Sequence, residues 1–201
     1  MKEGDGGGQH GEDRILQMFF RNQPFGFLVD VGAADGWDNS NSFQLLQRPG
    51  WNGVLIEPEP SQFQKLKRRY HNRSGVQCVP VAIGKTTGHQ TLWCGGQVST
   101  FKEGVKKNAE ENFGVEYSEV QVQMLPLTRL LRDLHVTRQI DFLSIDVEGM
   151  NYEVWETLDT SLHPVRLVCI EGKKYSMPGY KELCVVGCNT FYLREDECAK
   201  L

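Results

Sequence analysis

Acidic residues stand at or just beyond the ends of three apolar segments whose length and composition predict buried strands. Asp30 lies in the first segment, Glu57 directly follows the second, and Asp146 and Glu148 follow the third. Carboxylates in such places accept hydrogen bonds from hydroxyl and ammonium groups, take a proton as a general base, or bind a cation. Because the carboxyl ends of parallel strands meet at one edge of a sheet, we expect these side chains to line one site.

The first acidic residue opens a glycine-rich turn. Asp30-Val-Gly-Ala-Ala-Asp-Gly36 has the pattern D-x-G-x-x-x-G, in which Gly32 and Gly36 allow unusual dihedral angles and a close approach of the backbone to a ligand. A dinucleotide-binding fingerprint requires glycine where Asp30 stands, because a pyrophosphate approaches there. An acidic side chain repels phosphate and suits a cationic amino-acid ligand such as S-adenosylmethionine (SAM), which carries an ammonium and a sulfonium. A strand–helix turn without a ligand is the alternative.

Two further positions suit a nucleoside. Glu57 stands 27 positions after Asp30 and can accept hydrogen bonds from both ribose hydroxyls. Ala82, near the end of the apolar segment at 76–83, is small enough to lie against an adenine ring. A surface carboxylate without a ligand is the alternative interpretation of Glu57.

The acidic pair after Ile145 has several possible roles. Strand alternation points Asp146 and Glu148 the same way, and acids flanked by apolar sequence are costly to bury without partners. Either side chain would hold a cofactor ammonium, deprotonate a hydroxyl, or help to bind a cation. Capping of the next helix by Glu148 is the alternative. Glu171, after a later apolar segment, adds another acid to the same edge.

An alternation of strands and helices must position these residues. Strands are expected at residues 27–31, 54–56, 76–83, 91–93, 120–124, 140–145, 165–170 and 190–193. Helices are expected at 15–20, 61–70, 103–112 and 180–186. Further helices are expected from a cap at Asp38 or Ser40 to residue 46, from 126 onward, and between the strand at 140–145 and residue 158. Such alternation, with strands apolar on both faces, predicts an α/β fold with a mostly parallel sheet and helices on both sides.

Composition limits the class of protein. The 201 residues suit one domain, expected over 13–201, after a glycine-rich tail at 1–12 that we expect to be disordered. A net charge of −4 argues against a nucleic-acid partner, and no apolar run approaches the length of a membrane span. Six cysteines without a Cys-x-x-Cys pair exclude zinc-ribbon and thioredoxin-like sites, and we predict no metal site. They favour a reducing, cytoplasmic compartment.

The chain resembles the FkbM-type SAM-dependent methyltransferases over about 25–171. The glycine turn carries part of this resemblance. The other blocks that carry it, in family order, are Gly50-Trp-Asn-Gly-Val-Leu-Ile-Glu-Pro-Glu-Pro60, Val79-Pro-Val-Ala-Ile-Gly84, Asp141-Phe-Leu-Ser-Ile-Asp-Val-Glu-Gly149 and Leu167-Val-Cys-Ile-Glu171. The Glu-Pro-x-Pro and Asp-x-Glu-Gly blocks are the more specific ones. Many members have Lys where Ser144 stands and an acid where Asn151 stands.

The resemblance implies a Rossmann-like class I methyltransferase fold, SAM as the cofactor, and O-methylation of a hydroxyl or carboxylate on a glycan or small metabolite. The predicted cofactor-binding residues are Asp30, Gly32, Ala33, Asp35, Gly36, Glu57, Pro58, Ala82 and Asp146. The predicted catalytic residues are Asp146 and Glu148, with Asp146 the first candidate for the base. The chain has little sequence outside the core with which to build a substrate lid.

Two other functions fit the sequence. A SAM-fold binding module without turnover would explain Ser144 and Asn151 as signs of a decayed active site. A nucleic-acid methyltransferase would use the basic cluster between Lys65 and Arg73, although that cluster also fits a solvated helix face.

Overall fold

The computed structural model describes residues 7–8, 10–172 and 174–199. The strands in this part of the chain are β1 (Phe25–Val31), β2 (Gly50–Ile56), β3 (Val76–Val79), β4 (Ala82–Ile83), β5 (Gly88–Cys94), β6 (Ser118–Leu125), β7 (Ile140–Ile145), β8 (Val165–Glu171), β9 (Tyr180–Val186) and β10 (Asn189–Arg194). The helices are α1 (Glu12–Phe19), α2 (Phe43–Leu46), α3 (Pro60–Tyr70), α4 (Glu103–Phe113), α5 (Leu127–Asp133), α6 (Asn151–Trp155) and α7 (Glu195–Cys198), with a 3-10 turn at Gly96–Val98.

The larger sheet is mostly parallel. Within the described chain its order is β3-β2-β1-β7-β8-β10-β9, and β10 runs antiparallel to both of its neighbours. The central strand β1 pairs with β2 on one side and β7 on the other, with Val29 opposite Val54 and Leu143. Strand order therefore reverses at β1, and the predicted α/β fold with a mostly parallel sheet is confirmed.

Each face of the sheet has its own apolar core, because the central strands are buried on both sides. On one face Val29 packs with Leu130 of α5 and Val154 of α6. On the other, Leu28 packs with Leu16 of α1 and Leu66 of α3. The helices thus cover both faces and leave the carboxyl edge of the strands accessible.

A second, smaller sheet interrupts this pattern. The expected strand at 76–83 is two strands, β3 in the large sheet and β4 in the small one, which has the order β4-β6-β5. Pro80 lies between them; proline has no N–H to continue a ladder, so the chain leaves the large sheet there. The second sheet, the 3-10 turn and α4 all lie between β3 and α5 in the chain.

The expected helix at 180–186 is wrong, because this segment is strand β9. Val186 pairs with Asn189, so only Gly187 and Cys188 connect β9 to β10. Gly187 has φ 58°, which a two-residue hairpin turn needs. Leu183 and Val185 are exposed on this edge strand, and its mixed pattern of polar and apolar residues does not separate helix from strand.

The helix expected from 61 to 70 begins one residue earlier, at Pro60. Glu59 caps it, since its side chain accepts hydrogen bonds from the N–H groups of Ser61 (3.1 Å) and Gln62 (2.6 Å). The cap begins just after the Glu57-Pro58 pair, so it fixes how the chain leaves β2.

The tail predicted to be disordered, 1–12, includes residues that the structure orders against the domain. Glu12 begins α1 and is fully buried, where it accepts hydrogen bonds from Asn189 Nδ2 (2.8 Å) and from the His10 N–H (2.7 Å). Gly7 bridges to Asp38, so this segment contacts the loop after β1. Residues 1–6 and Gln9 lie outside the described residues.

We expect Glu12→Ala to lower the melting temperature by roughly 3–10 °C, because it leaves the buried Asn189 amide without its acceptor. Differential scanning calorimetry measures this shift. Glu116→Ala, at an exposed position, is the matched control and should melt like the parent protein. Equal melting of both variants would contradict a structural role for Glu12.

Candidate functional site

A cleft runs along the carboxyl edge of the large sheet, at the point where strand order reverses. It has two adjoining halves, an apolar one of about 580 Å³ and an acidic one of about 680 Å³, and both volumes include open space at the mouth of the cleft. Both halves are lined by Gly32, Ala34, Gln97, Asp146 and Glu148. The turn after β1 and the loop after β7 therefore form the boundary between the halves.

The glycine turn is built by close packing against its own chain. A Cβ on Gly32 would collide with the carbonyl oxygen of Asp146, and Gly32 has φ 87°. A Cβ on Gly36 would lie 2.6 Å from Leu66 Cδ1 and 2.8 Å from the Tyr70 ring. The motif suggested that both glycines make room for a ligand, whereas the structure shows that close contacts within the protein require them.

Glu57 is held rigidly at the end of β2. Its Oε2 accepts a hydrogen bond from the Ala34 N–H (2.8 Å) and its Oε1 from the Glu59 N–H (2.7 Å). Burial raises the pKa of Glu57 to about 7, although the two backbone N–H groups oppose this rise. Each oxygen retains lone pairs, so the fixed carboxylate can still accept hydrogen bonds from a ligand in the apolar half.

The apolar half joins residues from both sheets. Pro58 and Ala82, two predicted cofactor contacts, line it beside Ile56 at the strand ends. Leu92 of β5 and Phe101, just before α4, form another wall, together with Gly96, Gln97 and Ser99 around the 3-10 turn. Residues 92–101 supply this wall, which we call the cover.

Asp30 lines the acidic half. This side chain is buried, and its Oδ2 accepts a hydrogen bond from Ser42 Oγ (2.5 Å). Burial raises the pKa of Asp30 to about 6, while hydrogen bonds from Ser42 and Ser144 oppose the rise. Asn41 donates to Ser144 Oγ (3.4 Å), so neutral donors surround this carboxylate.

Asp146 and Glu171 form a carboxyl pair at the ends of β7 and β8. Burial raises the pKa of Asp146 well above its usual range, and the neighbouring Glu171 carboxyl raises it further. Asn151 steadies the pair by donating to Glu171 Oε2 (3.2 Å) and accepting from the Val147 N–H (2.7 Å).

Glu148 lies at the junction of the two halves in a backbone conformation with φ 32°, which is rare for a residue with a side chain. Its carbonyl oxygen accepts a hydrogen bond from Thr100 Oγ1 (2.9 Å), which ties the loop after β7 to the cover. Burial raises the pKa of Glu148, and the Glu171 carboxylate adds to the rise.

The remaining predicted residues divide into two groups. Ala33 lines the acidic half. Asp35 and Gly36 line neither half: Asp35 Oδ1 instead accepts from the N–H groups of Trp37 (2.9 Å) and Asp38 (3.1 Å) and stabilises the turn. No motif in the sequence pointed to Gln97, Leu92 or Phe101, because their position depends on the second sheet.

Two kinds of feature are missing from the described part of the chain. No three His, Cys, Asp or Glu side chains in 7–8, 10–172 and 174–199 are arranged to hold a metal ion. None of the described helices has the length and apolar composition needed to cross a bilayer.

Comparison with known proteins identifies relatives of this chain. The family model described as the methyltransferase FkbM domain matches residues 30–176. Methyltransferase 1 from Beauveria bassiana (strain ARSEF 2860) is 26% identical over 150 residues, which cover 66% of this chain and 58% of that protein. The chain thus matches less than two thirds of that relative's length.

Two solved structures are similar in fold. Methyltransferase FkbM from Methylobacillus flagellatus KT has a TM-score of 0.54 at 16% identity, covering 85% of this chain and 44% of that one. The Escherichia coli protein yhhF has a TM-score of 0.53 at 12% identity, covering 97% of this chain and 91% of that one. At these identities the likeness concerns the fold, and the predicted Rossmann-like class I methyltransferase fold is confirmed.

The raised pKa of Asp30 predicts a pH-dependent stability. The folded protein binds this proton more tightly than the unfolded chain, so the stabilisation is complete below about pH 4 and is lost as pH rises to about 6. Asp30→Asn removes this titration. Its melting temperature, measured by calorimetry between about pH 4 and pH 7, should rise by several degrees relative to the parent protein as pH increases.

Glu116→Gln, at an exposed site, is the control and should follow the parent protein at every pH. A difference between Asp30→Asn and the parent that is independent of pH, or that shrinks as pH rises, would contradict the burial of an ionisable carboxyl at this position.

Proposed function

Because this chain belongs to the methyltransferase FkbM family, we propose that it uses SAM to methylate an oxygen, a hydroxyl or carboxylate, on a glycan or small metabolite. One observation carries the proposal: the fixed carboxylate of Glu57 lines the apolar half of the cleft, and the acidic half adjoins it. A nucleoside would fit the apolar half beside Glu57, and a cationic amino acid joined to it would fit the adjoining acidic half.

The residues present fit SAM. Ala82 and Pro58 offer apolar surface for an adenine, and Glu57 offers carboxylate oxygens for the ribose hydroxyls. Asp30 offers negative charge for the methionyl ammonium. A backbone N–H of the turn after β1 helps to fix Glu57 in position, which supports a preformed ribose site.

When bound, SAM supplies a methyl group already activated by the sulfonium. The protein then has to align an acceptor oxygen and accept its proton. Bound SAM would supply the methyl group and would keep the electron pair of its carbon–sulfur bond, while a carboxylate of the cleft would accept the proton of the acceptor hydroxyl. We assign that carboxylate to the Asp146–Glu171 pair, because the raised pKa of Asp146 makes it a stronger base than an exposed carboxylate.

A cytoplasmic location is part of the proposal. All six cysteines lie in the described chain and are free, and Cys94 and Cys169 are buried. Free thiols in this number suit a reducing compartment.

We expect Glu57→Ala to weaken binding of S-adenosylhomocysteine, the demethylated cofactor, by about 10- to 100-fold, because it removes acceptors for two ribose hydroxyls. Isothermal titration calorimetry measures the affinity. Glu119→Ala, an exposed carboxylate on β6, is a control that should bind normally. Unchanged affinity in Glu57→Ala would remove the ribose assignment.

We expect Asp146→Asn to retain most cofactor affinity and to lose about 10²- to 10⁴-fold in turnover at saturating SAM, the effect of losing a general base. The measurements are cofactor affinity, saturated turnover and melting temperature. Collapse of affinity with normal turnover would instead assign the residue to the cofactor ammonium. Lower melting temperature alone would make it structural.

Asp141→Asn is the matched control because it removes a carboxylate from the same strand at the opposite edge. Asp141 accepts hydrogen bonds from Gln23 Nε2 (2.9 Å) and the Phe27 N–H (2.9 Å) and touches neither half of the cleft. This variant should melt earlier and keep its turnover. Normal behaviour of Asp146→Asn in all three measurements would exclude a catalytic, a cofactor-binding and a structural role for Asp146 alike.

A further inference from the structure

The acidic half of the cleft has an unbalanced charge. Its carboxyl groups are Asp30, Asp38, Asp146, Glu148 and Glu171. Its other polar side chains are neutral: Asn39, Ser40, Asn41, Gln97 and Ser144. Among the described residues that line either half, there is no Lys, Arg or His. The described part of this wall is therefore anionic.

Cationic side chains beside the cleft are engaged elsewhere. Lys102 Nζ lies 2.7 Å from Glu153 Oε1. Arg69 stacks over Trp37 at 4.6 Å and pairs with Asp35 at 3.8 Å. Neither side chain lines the acidic half, so neither neutralises it.

Hydrogen bonds within the site occupy some carboxylate oxygens but do not neutralise the negative charge of the acidic half. Ser42 donates to Asp30 (2.5 Å) and Asn151 to Glu171 (3.2 Å), and both donors are neutral. Asp38 is exposed at the cleft, where an incoming molecule can reach it.

The cofactor does not restore the balance, and this step rests on the proposed function. SAM carries two cationic groups and one carboxylate, so it brings one net positive charge. An ammonium has three N–H donors and can bind only some of the five carboxyl groups. Several negative charges thus remain for the second substrate.

We propose that the acidic half selects an acceptor that carries a positive charge beside its reacting hydroxyl, as an amino sugar or amino alcohol does. The ammonium of such an acceptor lies toward Asp38 and Glu148, and its hydroxyl lies beside the Asp146–Glu171 pair. Carboxylated and phosphorylated acceptors are rejected, because like charges across a partly desolvated cleft repel each other. A carboxylate acceptor, which the family resemblance alone permits, is thereby excluded.

The test compares ligands that differ chiefly in charge. S-adenosylhomocysteine is titrated first, and the loaded protein is then titrated with glucosamine, N-acetylglucosamine and galacturonic acid oligomers of equal length. At low salt, glucosamine oligomers should bind at least about tenfold more tightly than N-acetylglucosamine oligomers, and galacturonic acid oligomers should bind most weakly. Raising the salt concentration should reduce the difference.

Two variants test whether the acidic half causes the preference for glucosamine oligomers. Asp38→Lys inverts one exposed charge at the cleft and should reduce the preference for glucosamine oligomers at least about threefold. Glu195→Lys makes a comparable change at the opposite edge of the sheet, at the start of α7, and should leave the preference intact.

Three results would overturn the inference: equal affinity for the three oligomers, no binding of any of them at millimolar concentration, or loss of the preference on adding millimolar Mg²⁺, which would assign the charge to a divalent cation. Failure of S-adenosylhomocysteine to bind would instead overturn the proposed function. The two failures are therefore distinguishable in one series of titrations.

Discussion

The site depends on the contact between the turn after β1 and the backbone that leaves β7. Gly32 passes so close to the Asp146 carbonyl that any side chain would collide with backbone atoms. The contact is fixed on both sides, since the Asp146 N–H donates to the Val31 carbonyl (2.9 Å) and the Gly32 N–H donates to the Ile56 carbonyl (3.0 Å). Three adjacent strand ends are thereby locked together, and with them Asp30, Glu57 and Asp146.

This lock concentrates acidic groups where water is largely excluded, which costs stability. Burial raises the pKa values of Asp30 and Glu57, so each ionised carboxylate is less stable in the folded protein than in the unfolded chain. The apolar cores on both faces of the sheet offset that cost. A site that is destabilised without its ligands gains binding energy when cationic and hydroxyl groups reach it, so the cost in stability supports function.

Local sequence pattern is enough to predict the central part of the fold. The apolar runs of β1, β2, β7 and β8 are buried on both faces, which makes their pattern clear. Edge strand β9 lies against a neighbour on one side only, and its pattern is ambiguous. Burial of Glu12 could not be predicted, because its partner Asn189 lies 177 residues further along the chain.

In the site, too, local sequence pattern predicts some residues and misses others. The strand-end acids follow from the rule that parallel strands share a carboxyl edge, and Asp30, Glu57, Asp146 and Glu148 all line the cleft. Asp35 belongs to the same motif but points into its own turn, which no spacing rule reveals. Ser144 and Asn151, which in the sequence fit a decayed active site, hold the acidic groups in place through Asp30 and Glu171.

The two walls of the cleft are constrained to different degrees. Strand-end residues are tied to backbone groups of neighbouring strands, so altering them disturbs the sheet. The opposite wall contacts the turn after β1 through an exposed hydrogen bond from Asn39 Nδ2 to Gln97 Oε1 (3.2 Å). Such an exposed bond contributes only about 1 kcal/mol, so the turn after β1 constrains the opposite wall only weakly at this point. Residues of the loop after β1 can therefore change with less effect on the large sheet than the strand-end carboxylates can.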